Sequence, residues 1–299
     1  MIETRDITLK YSGNKGIFDL NFKVEKGEAF GYIGPKGAGK TSTIRVLMGL
    51  SHSSKGLATI NGLNCFNKAA AIQKITGYIP EETSFFDGMR VKEYLNFISR
   101  MRGSSRSKKT GLRDSLIERF ELETRGKIEN LSNDMKQKLA IVTAFMHDPE
   151  VLILDEPTNG LDPLMQSRFV DLIIEEKRQG KTILMATHMF ENVERTCDRV
   201  GILKEGHIVA QDDIIQVKSA EIKSYFVRFE AHPNLEQLKK YGFGYKQFSE
   251  KDYEILCQGD RIDALVKVLS HEKVLVFNSN TQTLEEIFQK YYSKEAINA

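Results

Sequence analysis

The sequence has few cysteines, no long apolar run and almost no excess of charge of one sign. Its three cysteines, Cys65, Cys197 and Cys257, lie far apart and show no CxxC spacing, which indicates free thiols in a reducing cytosol and excludes a disulfide framework. No apolar run approaches the roughly 18 residues that span a bilayer. The first residues carry no apolar signal segment. We therefore expect contact with a membrane to be made through a partner.

Charge is balanced along the chain. The 43 basic residues are offset by 41 acidic residues, and the net charge is +2, so the composition does not predict a protein that binds nucleic acid. The basic stretch SSRSKK at residues 104–109 could contact anionic lipid or nucleic acid, but a charged loop of this kind is more often a solvated surface. The 299 residues can form one large domain or two.

Up to about residue 217, short apolar runs that predict strands alternate with longer segments that predict helices. This alternation predicts a mainly parallel α/β sheet. The predicted elements are short strands within residues 1–33, a helix at 40–50, mostly helical chain at 90–147 with a polar break at 103–111, a strand at 151–154, a helix at 163–179, a strand at 182–186 and a helix at 189–197. The break contains two glycines and several serines, which are typical of loops.

From residue 218 the pattern changes to a β-α-β-β-α-β order, which predicts a small ferredoxin-like unit followed by one more helix. The predicted strands are 224–230, 244–249, 252–257 and 273–278, and the predicted helices are 234–241, 261–270 and 282–292.

The octapeptide GPKGAGKT at residues 34–41 matches GxxxxGK[ST] at every fixed position, and it lies between a predicted strand and a predicted helix. Glycines let the backbone approach phosphate oxygens closely, and the helix N-terminus adds a partial positive charge. We expect Lys40 to reach the β- and γ-phosphates and the Thr41 hydroxyl to bind Mg²⁺. A chance glycine-rich turn is the competing interpretation, and the strand and helix on either side disfavour it. The predicted phosphate-binding residues are Gly34, Pro35, Lys36, Gly37, Ala38, Gly39, Lys40, Thr41 and Ser42.

Two further apolar strands end in polar side chains. VLIL ends in Asp155 and Glu156, and TILMA ends in Thr187 and His188. In open α/β sheets, ligands bind at the carboxyl edge, so Asp155 is expected to hold Mg²⁺ through water while Glu156 polarises an attacking water. Alone, an acidic turn or a single histidine is more often structural. Beside the phosphate loop, we assign His188 to orient the water held by Glu156.

Together, the phosphate loop, LSNDM at 131–135, LDEPTNGLD at 154–162 and THM at 187–189 resemble the ATPase subunit of ABC transporters. The resemblance covers about residues 1–217. It implies a P-loop NTPase (RecA-like) α/β core with an antiparallel β subdomain and a helical subdomain at about 84–147, to which residues 218–299 add the small α+β ferredoxin-like domain.

The same resemblance implies that two such domains enclose two ATP molecules head to tail, with Mg²⁺. Each site then joins the phosphate loop of one chain to the turn Ser132, Asn133 and Asp134 of the other. By resemblance, Asp162 communicates across the dimer and Tyr11 stacks on adenine, although tyrosine is also common in strands. Glu81 takes the place of a family glutamine that binds Mg²⁺, and residues 82–97 form much of the groove for a membrane-spanning permease subunit.

The segments PEE, MKQKL and LEEIFQKYY, the last at 284–292, are similar to ATPases that export drugs, peptides, polysaccharides or lipids. This resemblance implies a bacterial protein on the cytoplasmic face of the cell membrane, attached through the permease. A soluble ABC-type ATPase acting on nucleic acid or ribosomes is the alternative, and it is disfavoured by the single phosphate loop and the balanced charge. A regulatory module without hydrolysis is disfavoured by Glu156 and His188, and an importer by the C-terminal pattern.

The stretch NLSNDMKQKL at 130–139 has an unusual turn. Ser132 is a good N-cap, and Asp134 in the first turn complements the helix dipole. In the family, this turn faces the γ-phosphate of the other subunit. A carboxylate about 6 Å from a phosphate charge opposes it by roughly 3 kcal/mol at an effective dielectric of about 20, unless Asp134 turns away. We hypothesise that this chain pairs with a different ATPase subunit, giving one strong and one weak site, while a homodimer would have two weakened sites.

Overall fold

The computed structural model describes residues 1–13, 15–102, 108–214, 222–258 and 261–280. The chain forms two compact units, residues 1–211 and 212–299. The predicted domain boundary after residue 217 falls in a stretch outside the described residues. None of the described helices is long and apolar enough to cross a lipid bilayer.

The first unit is built around a six-stranded sheet in the order β10-β9-β3-β8-β7-β6. The strands are β3 (Ala29–Ile33), β6 (Thr76–Ile79), β7 (Val151–Asp155), β8 (Thr182–Thr187), β9 (Arg199–Lys204) and β10 (His207–Asp213). β6, β7, β8, β3 and β9 run parallel to one another. Every residue of β3, β7 and β8 is buried, which is why these strands are almost continuously apolar.

A second, antiparallel sheet has the order β2-β1-β4-β5. Its strands are β1 (Ile2–Lys10), β2 (Gly16–Val24), β4 (Lys55–Ile60) and β5 (Leu63–Asn64). Alternate residues of β2 are buried, as expected for a strand with one face on the core. The two sheets share that core: Phe22 of β2 stacks on Phe30 of β3 at 5.7 Å between ring centroids, and helix α1 (Lys40–Leu47) adds Ile44 and Leu47 to the same cluster.

The remaining helices of this unit lie between the strands of the parallel sheet along the chain, or within the predicted helical subdomain at about 84–147. They are α2 (Ala69–Ile75), α3 (Val91–Met101), α4 (Lys108–Arg119), α5 (Asn133–Phe145), α6 (Pro163–Arg178) and α7 (Phe190–Thr196), with a 3₁₀ turn at Ile128–Asn130. The polar break predicted at 103–111 is too long, because α4 already begins at Lys108. Lysine is a good helix former, and the stretch 103–107 is not described.

The second unit is an antiparallel sheet with two helices. Its elements are β11 (Ile222–Phe229), α8 (Glu236–Lys240), β12 (Gly244–Gln247), β13 (Asp252–Gln258), α9 (Ile262–Leu269) and β14 (Val274–Asn280). The sheet order β12-β13-β11-β14 and the β-α-β-β-α-β succession are those of a ferredoxin-like fold. Leu238 of α8 and Leu265 of α9 pack on Val227 and Tyr253 of the sheet. The helix predicted at 282–292 lies outside the described residues.

Candidate functional site

The register of the parallel sheet places four polar chain segments at one edge. Ile33 pairs with Thr187, Asp155 with Ala186, and Ile79 with Leu154. The chain that leaves each of these strands therefore emerges at the same carboxyl edge. This arrangement brings the phosphate loop, Glu81, the acidic pair at 155–156 and His188 together, and it is the position in which α/β sheets bind ligands.

Glycines allow the loop after β3 to wrap tightly. Gly39 has φ 110°, a conformation that favours glycine, and a Cβ there would lie 2.6 Å from Cγ2 of Ile17. A Cβ on Gly34 would lie 2.4 Å from the carbonyl oxygen of Leu203. Gly37 has φ 84°, and a Cβ there would contact nothing within 4 Å, so at this position only the backbone conformation requires glycine.

Lys40 is buried, and its ammonium lies inside the loop. Its Nζ donates to the carbonyl oxygens of Gly34 at 2.7 Å and Pro35 at 3.3 Å. The same Nζ lies 3.3 Å from Oε1 of Glu156. The carbonyls and the carboxylate hold the charge at the centre of the loop, where phosphate oxygens can replace Glu156 as its anionic partner.

Glu156 is the most constrained carboxylate of this edge. Its backbone has φ 46°, which costs a non-glycine residue of order 1 kcal/mol, and its N–H donates to the carbonyl of Ala186 at 2.8 Å. Oε2 of Glu156 accepts from the Thr187 hydroxyl at 3.0 Å and lies 2.9 Å from Nδ1 of His188. The last residue of β8 and the residue that follows it therefore fix the Glu156 side chain.

These residues enclose a cavity of about 660 Å³, a volume typical of small-molecule sites. Three residues predicted for ATP, Tyr11, Gly34 and Ala38, are not among its lining residues; Tyr11 is exposed, while Gly34 and Ala38 are buried. The lining includes Asn159, a residue that was not predicted as part of the site. The lining residues are Pro35, Lys36, Gly37, Gly39, Lys40, Thr41, Ser42, Glu81, Glu156, Asn159 and His188.

Oxygen ligands for a hard cation lie beside the phosphate loop. The Thr41 hydroxyl donates to Oε2 of Glu81 at 2.8 Å. Both carboxylate oxygens of Asp155 are buried without a hydrogen-bond partner. In the described part of the chain, no three His, Cys, Asp or Glu side chains form a metal cluster. Mg²⁺ is usually bound by one or two carboxylates together with substrate phosphates and water, so the residues present fit this ion.

Burial raises the pKa of Asp155 to about 6; the nearby Thr41 hydroxyl and Lys40 ammonium act against this rise, and the Glu81 and Glu156 carboxylates add to it. The usual value is about 3.9, so the folded protein binds this proton more tightly than the unfolded chain does. The resulting loss of stability is absent well below pH 4. It grows as the pH rises from the pKa of the unfolded chain to that of the folded protein, and it is complete above about pH 6.

Replacing Asp155 by Asn should therefore stabilise the ligand-free protein near neutral pH. We expect Tm in EDTA at pH 7.5 to rise by about 3 °C or more, because the buried charge is removed, while ATP turnover is lost. The gain should shrink toward zero near pH 4, where the wild-type carboxyl is protonated. Thermal unfolding at both pH values measures it.

Asp171→Asn, at an exposed position of α6, is the matched control and should change Tm little at either pH. An Asp155→Asn protein that is less stable than wild type at pH 7.5, or equally stabilised at both pH values, would contradict this assignment of the buried charge.

The turn before α5 has the geometry of a helix cap. Oγ of Ser132 accepts from the backbone N–H of Met135 at 3.2 Å, which confirms the predicted N-cap. Ser132 and Asn133 are exposed, and none of the turn's three residues lines the cavity described above. On the buried side of the helix, the Gln137 amide donates to the carbonyl of Pro157 at 2.7 Å, so α5 is attached to the loop that carries Glu156.

Two of the predicted site residues, Asp134 and Asp162, make contacts within their own chain that the motifs did not indicate. Asp134 forms an ion pair with the buried Lys138 at 3.0 Å, four residues along the helix. The i,i+4 spacing was the available signal. Asp162 is exposed, and its carboxylate caps α6 by accepting from the N–H of Met165 at 2.9 Å.

Comparison with known proteins identifies the family to which the chain belongs. The family model described as ABC transporter matches residues 17–159. The chain is 35% identical over 212 residues to the Nod factor export ATP-binding protein I of Burkholderia orbicola (strain AU 1054), covering 70% of each chain. It is 33% identical over 273 residues to the bacitracin transport ATP-binding protein BcrA of Bacillus licheniformis, covering 91% of this chain and 85% of that protein.

A solved structure described as the ATP binding subunit of an ABC transporter superposes with a TM-score of 0.68 and 30% identity, covering 73% of this chain and 92% of the other. The predicted P-loop NTPase fold is thereby confirmed, and so is the resemblance on which it was based.

Proposed function

Because this chain belongs to the ATP-binding subunits of ABC transporters, a family of ATPases, we propose that it is the motor subunit of an exporter that acts through a separate membrane-spanning subunit. The observation that carries the proposal is the shared sheet edge on which Lys40, Glu156 and His188 meet in one cavity. Hydrolysis of a nucleoside triphosphate needs a cation beside the phosphates and a fixed carboxylate beside the attacking water.

The catalytic step that we propose uses groups of this chain. Lys40 and the backbone N–H groups of residues 36–42 bind the β- and γ-phosphates, and Lys40 exchanges Glu156 for phosphate oxygen as ATP enters. Glu156 then takes a proton from water as the water oxygen attacks the γ-phosphorus and the bond to the bridging oxygen of ADP breaks, so that the products are ADP and inorganic phosphate. Thr187 and His188 keep the Glu156 carboxylate in place through their contacts with Oε2.

We assign the Mg²⁺ site to Thr41, Glu81 and Asp155. The ion, when bound, would neutralise the charge that develops on the phosphate oxygens. This proposal is supported by the Asp155 carboxylate, whose oxygens accept no hydrogen bond, and by the Thr41 hydroxyl, which lines the cavity and contacts Glu81. Tyr11 is proposed to stack on adenine, and its ring is exposed and available for that contact.

The other half of the site is proposed to come from a second ATPase chain. Ser132, Asn133 and Asp134 lie outside the cavity of their own chain, while Ser132 and Asn133 are exposed at the N-terminus of a long helix. A helix N-terminus favours an anion, so this turn can face the γ-phosphate bound by the opposite chain. Asp162 and Asn159, on the loop between Glu156 and α6, are assigned to the same interface. The second chain is a copy of this one or a different ATPase subunit.

The permease is proposed to dock on residues 82–97. Phe86 is 58% exposed, and its ring packs on Phe97 at 5.7 Å between centroids. Nearby, Met101 is 70% exposed. Exposed aromatic and methionine side chains are enriched at protein interfaces, so this surface is chemically suited to an apolar helix of a membrane subunit.

Export is favoured by the relatives, whose names refer to Nod factor export and bacitracin transport. We propose a peptide, drug or lipid as the exported class and the cytoplasmic face of a bacterial membrane as the location. No observation favours the alternative of an ATPase that acts on nucleic acid or ribosomes, since the chain's charge is balanced.

The proposal is tested by purification in mild detergent from membranes of the native host. We expect the tagged chain to retain a multi-span membrane subunit, and Phe86→Asp to lose that subunit while keeping ATP affinity, because a charge would be buried in an apolar interface. Mass spectrometry of the eluate measures whether the membrane subunit is retained, and titration with a fluorescent ATP analogue measures the affinity for ATP.

Phe66→Asp is the matched control, since Phe66 is 55% exposed but lies outside residues 82–97. Retention of ribosomal proteins or nucleic acid in place of a membrane protein would contradict the assignment, and equal loss of the permease in both variants would contradict the docking surface.

A further inference from the structure

The first turn of α5 contains an acidic side chain that is turned away from the exposed end of the helix. Oδ2 of Asp134 lies 3.0 Å from Nζ of Lys138, and Lys138 is 4% exposed. Oδ1 of Asp134 is buried and accepts no hydrogen bond. The Asp134 carboxylate therefore depends on one partner, a lysine that is itself buried and whose only ion pair among the described residues is this one.

The exposed side of the same turn is free of charge. Ser132 and Asn133 are exposed, and the Ser132 hydroxyl uses its oxygen to cap Met135, which leaves its hydrogen available as a donor. A phosphate approaching along the helix axis would meet two neutral side chains and backbone N–H groups first, with the carboxylate behind them.

We propose that Lys138 is a positioning residue for ATP hydrolysis: it holds Asp134 back from the opposing chain's nucleotide and neutralises its charge. This inference rests on the proposed two-chain site. It also explains how a turn with Asn133 and Asp134 at the positions before Met135 can accept a γ-phosphate. Without Lys138, the carboxylate would have no cationic partner and would be drawn outward into water, toward the phosphate that it repels.

The size of the effect is set by solvent screening. Asp134 is 29% exposed in its side chain, so water already weakens its field. We expect Lys138→Met to raise the ATP concentration for half-maximal turnover about tenfold. Met keeps the length and the apolar stem of lysine, so the variant removes the charge with little change in packing.

The experiment measures kcat and KM for ATP hydrolysis with wild type, Lys138→Met and the double variant Asp134→Asn/Lys138→Met. The single variant should show a raised KM that falls toward the wild-type value at high salt, because screening weakens the repulsion. The double variant should recover most of the loss without added salt. Affinity of the monomeric chain for a fluorescent ATP analogue, which reports the chain's own phosphate loop, should be the same in all three.

Lys127→Met is the matched control. It removes an exposed ion pair with Glu129 of the same 3.0 Å length, just before the turn, and should leave kcat and KM unchanged. A Lys138→Met defect that neither salt nor Asp134→Asn relieves would overturn the proposal and indicate a structural role for the pair. An unchanged KM would overturn it as well. Both outcomes leave the proposed function standing, provided that the wild-type protein hydrolyses ATP.

Discussion

The Glu156→Gln protein should bind ATP as tightly as wild type, hydrolyse it at least about a hundredfold more slowly and accumulate as an ATP-bound dimer. Gln keeps the size of Glu and can still accept a hydrogen bond from Thr187, but it can neither take a proton from water nor polarise it as strongly. Loss of the charge also removes the pair between Glu156 and Lys40, which lie 3.3 Å apart, and so frees Lys40 for phosphate. Turnover stops after binding, and the closed state persists.

Three measurements on one preparation decide this prediction: equilibrium ATP binding, phosphate release and sedimentation with and without MgATP. Glu150→Gln is a matched control. Glu150 is exposed and directly precedes β7, whereas Glu156 directly follows that strand. This variant should behave as wild type. Undiminished phosphate release by Glu156→Gln would remove this residue from its catalytic role.

The Lys40→Ala protein should lose affinity for ATP itself, by about tenfold to a hundredfold, as expected when charge-assisted hydrogen bonds are removed. The lysine is held at the centre of the loop by the carbonyls of Gly34 and Pro35, so its ammonium is already in position to meet the phosphates. Its removal also leaves Glu156 without a cation, which adds repulsion between that carboxylate and the phosphates. Both effects oppose binding.

Titration of the isolated chain with a fluorescent ATP analogue measures the change, and Lys26→Ala serves as its control. Lys26 is exposed in the turn that precedes β3, at the opposite end of that strand from the loop. Equal affinities of Lys40→Ala and wild type would show that residues 34–41 do not bind the nucleotide phosphates.

The sequence was sufficient to predict those parts of the site that are carried by local patterns. GPKGAGKT fixes a strand, a loop and a helix within one short stretch, and VLIL followed by Asp155 indicates a buried strand with a carboxylate at its end. The helix cap at Ser132 was predictable for the same reason, because the capping interaction spans only three residues. The ferredoxin-like order of the second unit also came from successive local periodicities.

Features that depend on distant pairing were not predictable. Strands β4, β5, β6, β9 and β10 and helix α2 were missed. β5 has only two residues and β6 only four, too few to show a period. The contact between Lys40 and Glu156 depends on the sheet order, which brings β3 and β7 to either side of β8. The four-residue spacing of Asp134 and Lys138 was visible in the sequence. The burial of Lys138, which lets it hold the Asp134 carboxylate in place, comes from packing of α5 within its own unit.

Each ATP site is proposed to join the phosphate loop of one chain to the Ser132–Asp134 turn of another. The most direct test of this proposal mixes two inactive proteins, Lys40→Ala with an intact turn and Ser132→Phe with an intact phosphate loop. The mixture contains dimers with one complete site, so its ATPase rate should rise well above that of either protein alone. A mixture as inactive as its components, under conditions in which the wild-type chain turns over, would contradict the proposal.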